Sequence, residues 1–306
     1  MSGKLYLCAT PIGNLEDITL RVLRVLKEVD LIAAEDTRNS IKLLNHFDIK
    51  TPMTSYHEYN KMEKAYTLIE KMQEGLNVAL ITDAGTPGIS DPGEVLAAMC
   101  YDAGIEVTSL PGPAACITAL TLSGLSTRRF AFEAFLPPDK KERKAILEEL
   151  KNETRTIILY EAPHHLVGTL QELYQALGNR RMTLCRELTK KHETAFRTTI
   201  EDLIAFYKDQ KPLGECVLVI EGRSRKEMEQ ESQGVHGETI AFLWRRGGAD
   251  VGARAEAGVD ERCCLRGGCF VACCSAAGLG IVGTSTDNIA DFVKAQLAEK
   301  LKRFLV

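Results

Sequence analysis

Four short apolar runs punctuate the first 110 residues, at 5–9, 31–34, 78–81 and 105–110, and helical patterns fill the gaps between them. Runs this short suit strands covered on both faces rather than buried helices. Between the first two, Ile18, Val22, Val25, Leu26 and Val29 recur on one side of a helix. Residues 39–47 and 61–74 also read as helices. Strands that alternate with helices are joined by crossovers, which yields a largely parallel sheet with covered faces. A second pattern follows, with strands expected at 130–135, 156–160, 182–186 and 217–221 and helices at 140–151 and 165–177. An antiparallel strand at 194–199 would make this second sheet mixed. The expected fold class is therefore α/β in two domains, 1–122 and 123–225.

After Gly222 the pattern changes. Residues 224–233 are polar, and 235–283 are rich in Gly, Ala, Arg and Cys without a period. Cys263, Cys264, Cys269, Cys273 and Cys274 crowd this stretch, but adjacent pairs are poor tetrahedral ligands, so no metal site is expected. Residues 226–306 read as an atypical, disordered tail. It ends in a helix over 287–305, marked by Ile289, Phe292, Val293, Leu297, Leu301 and Leu305. The earlier cysteines, Cys8, Cys100, Cys116, Cys185 and Cys216, are isolated in apolar segments and read as buried small hydrophobes in a reducing cytoplasm. No run of about 18 apolar residues is present, so no membrane span is expected. The net charge of -4 excludes a general polycation. Between 126 and 200, however, Lys and Arg outnumber Asp and Glu by 14 to 10, a small local excess that points to an anionic partner or a solvated surface.

Five clusters of Gly, Pro or charged residues fall at expected strand ends: 9–15 (ATPIGNL), 34–38 (AEDTR), 83–93 (DAGTPGISDPG), 111–115 (PGPAA) and 160–165 (YEAPHH). In open α/β sheets ligands bind in this position. The third cluster is the longest. Asp91 suits a helix N-cap there, Pro92 the first helical position, and Glu94 a capping-box acid. The sequence has no G-x-x-x-x-G-K-[ST], no G-x-G-x-x-G after the first strand and no G-x-S-x-G. A triphosphate cradle, a dinucleotide site and an α/β-hydrolase elbow are thereby disfavoured. Backbone groups, small residues and a few carboxylates suit a ligand with an aromatic base, a ribose and a zwitterionic tail, such as S-adenosylmethionine. Simpler roles stay open. Asp83 can brace its loop, Glu35, Asp36 and Arg38 can form a surface ion pair, Glu161 can start a helix, and His164 can be an ordinary loop residue.

Four of these clusters, with RELTK at 186–190, occur in the order 9–15, 34–38, 83–93, 160–164 and 186–190. Together they resemble the ribosomal RNA small subunit methyltransferase I family within the tetrapyrrole methylase superfamily, over roughly residues 3–225. The resemblance implies two α/β domains with S-adenosylmethionine in the cleft between them, and a homodimer. It implies 2'-O-methylation of a cytidine in small-subunit (16S) ribosomal RNA near the decoding site. Pro11 and Ile12 are then expected beside the cofactor. Asp83, Gly85, Thr86, Pro87 and Ile89 would wrap it, Ala114 and Ala115 would approach from a helix start, and Tyr160 and Glu161 would come from the second domain. Residues 191–199 lack the glycine expected after the arginine, and the region after Gly234 departs from the family's Lys-rich helical part.

Methyl transfer is an in-line displacement that needs alignment and exclusion of water more than a covalent nucleophile. A base or polarising cation would help a ribose hydroxyl, and Glu35, Asp36, Arg38 and Lys190 are candidates. Phosphate contacts are expected from Arg128, Arg129, Arg180, Arg181, Lys190 and Lys191. Two other readings compete: a methyltransferase of this fold acting on a tetrapyrrole precursor, and a non-catalytic RNA-binding assembly protein.

Overall fold

A computed structural model describes residues 2–224. By contact the chain divides into the units Met1–Glu229 and Gln230–Val306, and the described residues all belong to the first. The cysteine-rich stretch and the helix expected over 287–305 lie outside the described residues.

The first sheet contains β1 (Lys4–Cys8), β2 (Leu31–Ala34), β3 (Met53–Ser55), β4 (Val78–Ile81) and β5 (Glu106–Leu110). Its order is β3-β2-β4-β1-β5, and every pairing is parallel. Period-two alternation splits the side chains between two cores. Leu5, Leu7, Ala33, Val78 and Leu80 join α3 (Lys61–Gln73) and α4 (Gly93–Asp102) on one face. Cys8, Ile32, Ala34, Ala79 and Ile81 join α1 (Leu20–Glu28) and α2 (Thr37–His46) on the other. All four residues of β4 are buried, as a strand covered on both faces requires. The loops after β1 and β4 therefore lead to helices on opposite faces although the strands are neighbours. Such a switch in direction opens a crevice at the carboxyl ends of the strands.

The second sheet contains β6 (Phe130–Phe135), β7 (Thr156–Glu161), β8 (Arg181–Arg186), β9 (Thr194–Thr199) and β10 (Cys216–Ile220). Its order is β6-β7-β10-β8-β9; β6 and β7 run parallel and the other pairs antiparallel, so the sheet is mixed as expected. One face carries α6 (Lys140–Leu150), α7 (Leu166–Leu177) and α8 (Ile200–Phe206). The other face carries α5 (Ala115–Ser123), whose Cys116, Ala119 and Leu120 pack with Ile158, Cys185, Val217 and Val219. Ile12, from the loop after β1, completes this cluster. The helix that follows the first sheet thus lies on the second.

Cys8, Cys100, Cys116, Cys185 and Cys216 are buried and free, as the sequence indicated. One strand and one α-helix leave no extended apolar pattern in the sequence. These are β3, with only three residues, and α8, whose Ile200 and Leu203 are its only buried positions. Among the described residues no helix is long and apolar enough to cross a membrane.

Candidate active site

Three loops leave the carboxyl ends of β1, β2 and β4, and hydrogen bonds lock them together. Thr10 and Gly85 exchange both backbone bonds, at 2.9 and 3.0 Å, as an isolated antiparallel bridge beyond a parallel strand pair. The buried Thr10 hydroxyl donates to the Thr82 carbonyl at 3.1 Å. The Asp36 amide donates to the Asp83 carboxylate at 3.2 Å, and the Asp83 amide donates to Glu35 at 3.4 Å. These crossed bonds lace the loop after β2 to the loop after β4.

The β4 loop turns sharply. Gly85, Gly88 and Ser90 all have positive φ, at 90°, 85° and 67°. Asp91 collects the amides of Gly88, Ile89 and Gly93 on its carboxylate at 2.8–3.1 Å. The helix starts one residue later than the capping pattern indicated. Pro92 occupies the cap without a side-chain bond, and Asp91 ties the loop instead. The loop then meets the segment before α5, where the Thr86 hydroxyl donates to the Pro113 carbonyl at 2.9 Å. A Cβ on Gly112 would stand 2.5 Å from that of Ala9, so only glycine lets this segment lie so close to β1.

The second sheet reaches the same rim at two points. The Tyr160 hydroxyl accepts the Cys116 amide at 3.1 Å, at the start of α5, and its ring stands edge-on to Phe132 and Phe135. Burial raises the Tyr160 pKa, which keeps it a neutral phenol. The loop after β8 packs on Gly13, where a Cβ would lie 2.5 Å from the Lys190 side chain and 2.8 Å from the Leu188 carbonyl. Glu187 and Thr189 in this loop hold left-handed φ of 50° and 64°. Such a conformation costs a non-glycine residue roughly 1–2 kcal/mol, so this close contact is held under strain.

The carboxylates differ in state. Burial is the main cause that raises the Glu35 pKa; the nearby Asp83 and Asp91 charges add to it, while the Asp83 amide and His57 oppose it. Asp36 is held down at about 2, chiefly by hydrogen bonds from the Arg38 side chain and amide, and it caps α2. Arg38 is thereby committed to Asp36. Lys190 lies between Glu187 and Glu215, at 3.1 and 3.0 Å. Burial pulls its pKa down, but the two carboxylates outweigh it and the net shift is upward. Glu161 is buried beneath the second sheet, on the face opposite Tyr160, where it accepts bonds from the Thr169 hydroxyl and the Ala162 amide.

The chain matches the family model described as Tetrapyrrole (Corrin/Porphyrin) Methylases over residues 4–204. The protein of Synechocystis sp. named Ribosomal RNA small subunit methyltransferase I is 51% identical over 232 residues, 76% of this chain and 83% of the relative. The chain belongs to the ribosomal RNA small subunit methyltransferase I family of the tetrapyrrole methylases. The relative of the same name from Escherichia coli O157:H7 is 46% identical, over 79% of this chain and 85% of its own length. Among solved structures, uroporphyrin-III-C-methyltransferase from Thermus thermophilus superposes with a TM-score of 0.52 at 22% identity, over 71% of this chain and 94% of that one. At that identity the likeness establishes the fold alone.

Within this methylase fold the candidate site residues fall into three groups. Pro11, Ile12, Glu35, Asp36, Asp83, Gly85, Thr86, Pro87, Ile89, Ala114, Ala115 and Tyr160 belong to the interlocked loops and the end of β7. Lys190 and Lys191 follow β8 on the same side. Arg128, Arg129, Arg180 and Arg181 lie at the opposite end of the second sheet, where β6, β7 and β8 begin. Six residues of strand separate the two ends, about 16 Å at ~3.3 Å per residue. The six cations expected to hold RNA are therefore not one cluster. Two threonines brace these loops: the Thr10 hydroxyl ties the first loop to the Thr82 carbonyl, and the Thr82 hydroxyl donates to the Ala84 carbonyl within the β4 loop. Gly13 lies within the 9–15 cluster, and its packing against Leu188 and Lys190 joins the two sheets. Thr10 lies within the same cluster, but no spacing rule marks a threonine that bonds a carbonyl 72 residues away.

Proposed function

We propose that this protein transfers the methyl group of S-adenosylmethionine to the 2'-hydroxyl of a cytidine in 16S ribosomal RNA, near the decoding site. The observation that carries the reading is the interlocked rim itself, in a chain about half identical to proteins named for small-subunit ribosomal RNA methylation. The rim fits the cofactor's chemistry. Exposed Asp83 and half-buried Glu35 offer negative charge toward a sulfonium. Gly85, Ala114 and Ala115 leave room for close backbone approach, and the one guanidinium in these loops is tied to Asp36.

S-adenosylmethionine supplies an activated methyl carbon. The chain's own task is to orient the hydroxyl in line with it and to take up the hydroxyl proton. Glu35 is the base we assign. Its carboxyl binds protons more readily than an ordinary glutamate, because burial outweighs the opposing pull of the Asp83 amide and His57. Asp36 is spent on the helix cap and Arg38, and Lys190 is held as a cation by two glutamates. We assign the cofactor contacts to Pro11, Ile12, Asp83, Gly85, Thr86, Pro87, Ile89, Ala114, Ala115 and Tyr160. Glu161 then acts from behind, by fixing the turn after β7. The working form we propose is a cytoplasmic homodimer with lobes 1–122 and 123–225, in which α5 belongs to the first lobe by sequence and rests on the second by packing.

The test is incubation of the protein with labelled S-adenosylmethionine and unmodified small ribosomal subunits, followed by mapping of 2'-O-methyl groups. We expect label on a single cytidine in the decoding region. Label on a tetrapyrrole precursor instead, with none on RNA, would transfer the site to the small-molecule chemistry of the wider fold.

A further inference from the structure

At the end of the second sheet remote from the rim, Ser126, Arg128, Arg129, Thr154, Arg155 and Thr156 line a cavity of about 170 Å³. One water needs ~10–15 Å³ of such space, so the cavity admits a multi-atom group. Its walls are fixed. The Thr156 hydroxyl donates to the Ser126 carbonyl at 2.7 Å, and the Thr156 amide donates to the Arg129 carbonyl at 3.2 Å. The parallel register of Phe130 with Thr156 sets Arg129 and Arg155 side by side where their strands begin.

The charges there are unequal in their partners. Arg155 is bound to Glu153 at 2.5 Å and also feels Glu133, and Arg181 is bound to Glu221. No carboxylate holds Arg128 or Arg129 among the described residues, and both are exposed. Among the described residues no carboxylate lines the cavity. Two unpaired guanidiniums beside serine and threonine hydroxyls are the donor set that a phosphate takes.

We propose that this cavity binds a backbone phosphodiester of the RNA substrate, as a second anchor separate from the methyl-transfer rim. The proposal rests on the RNA methylation reading above and adds to it where the strand is gripped. The cavity lies about one strand length, ~16 Å, from Tyr160. Arg128 and Arg129 fix the register of the RNA there without reading its bases.

The test measures binding of a decoding-region RNA fragment across a salt series, for wild type, for R128Q/R129Q and for R128K/R129K. Each lost phosphate contact lowers the slope of log affinity against log salt by ~0.7 for a single strand, so the Gln pair is expected to lower it by about 1.4. The Lys pair keeps the charge and is expected to restore the slope. S-adenosylmethionine affinity, measured on the same samples, is expected at the wild-type value and reports that the variants are folded. An unchanged slope in a folded Gln variant, beside a wild type that methylates RNA, overturns the anchor alone. A wild type that neither binds nor methylates RNA overturns the anchor and the methylation reading together. Inorganic phosphate that raises the Tm of wild type but not of the Gln variant, with the RNA slope unchanged, assigns the cavity to a free anion and overturns the RNA contact.

Discussion

At Glu35 two demands compete, since a carboxylate half out of water beside Asp83 and Asp91 is costly to ionise, and that cost is the reason we assign it as the proton acceptor. Its folded pKa is raised, so its contribution to stability is fully present below its ordinary value of 4.5 and is lost as pH rises through the folded pKa. Glu35→Gln keeps an oxygen for the Asp83 amide and removes the charge. At pH 7 the urea midpoint of E35Q is therefore expected to equal or exceed that of wild type. Its methyl-transfer rate is expected to fall by about 10²–10⁴, the usual contribution of a positioned base. A rate within threefold of wild type (about 0.7 kcal/mol of barrier) would remove Glu35 from the proton path.

Among elements, the loop from Thr82 to Pro92 carries the most information and the greatest dependence on a single side chain. Asp91 takes three amides that the turns at Gly85, Gly88 and Ser90 would otherwise leave unpaired. Asp91→Ala is expected to cost about 2 kcal/mol, read from the urea midpoint, and to weaken cofactor affinity in the same samples. Unaltered cofactor affinity in a destabilised D91A would separate the loop's fold from binding. The loop's position was legible in the sequence because Val78–Ile81 is a run of apolar residues followed within a few residues by Gly85, Pro87 and Gly88. Its internal bonding was not, because the capping pattern of Asp91, Pro92 and Glu94 describes an isolated helix start and ignores a loop that folds back onto it. The alternation of strands and helices was legible for the same physical reason as β4: burial on two faces leaves an apolar run. Met53–Ser55 at a sheet edge leaves no such trace. Glu161 illustrates a different limit. Motif position put it with Tyr160, but adjacent strand residues face opposite ways, and its carboxylate went to Thr169.

For the whole molecule, paired carboxylates set the response to acid. Hydrogen bonds from the Arg155 side chain hold Glu153 at about 2, and Arg38 does the same for Asp36. Both folded values lie below the ordinary ones of 4.5 and 3.8, so this stability is present above about pH 4.5 and is lost as pH falls toward 2. Urea midpoints are expected to decline across that window, and less steeply in Glu153→Gln, which has no proton to gain. A parallel decline in E153Q would assign the acid limb to other groups.

The position of β1 has a consequence for how the chain is made. Leu5 pairs with Val78, and Lys4 pairs with Glu106, so β1 leaves the ribosome well before both of the strands that flank it. At roughly 5–20 residues per second, β1 waits on the order of 5–20 s for β5. During that interval β2 and β3 can pair, Thr10 gains Gly85 only after β4 has been made, and Ala9 has no Gly112. The loop after β1 is thus among the last parts of the rim to be completed, and the interlocked rim closes only once the start of α5 has emerged.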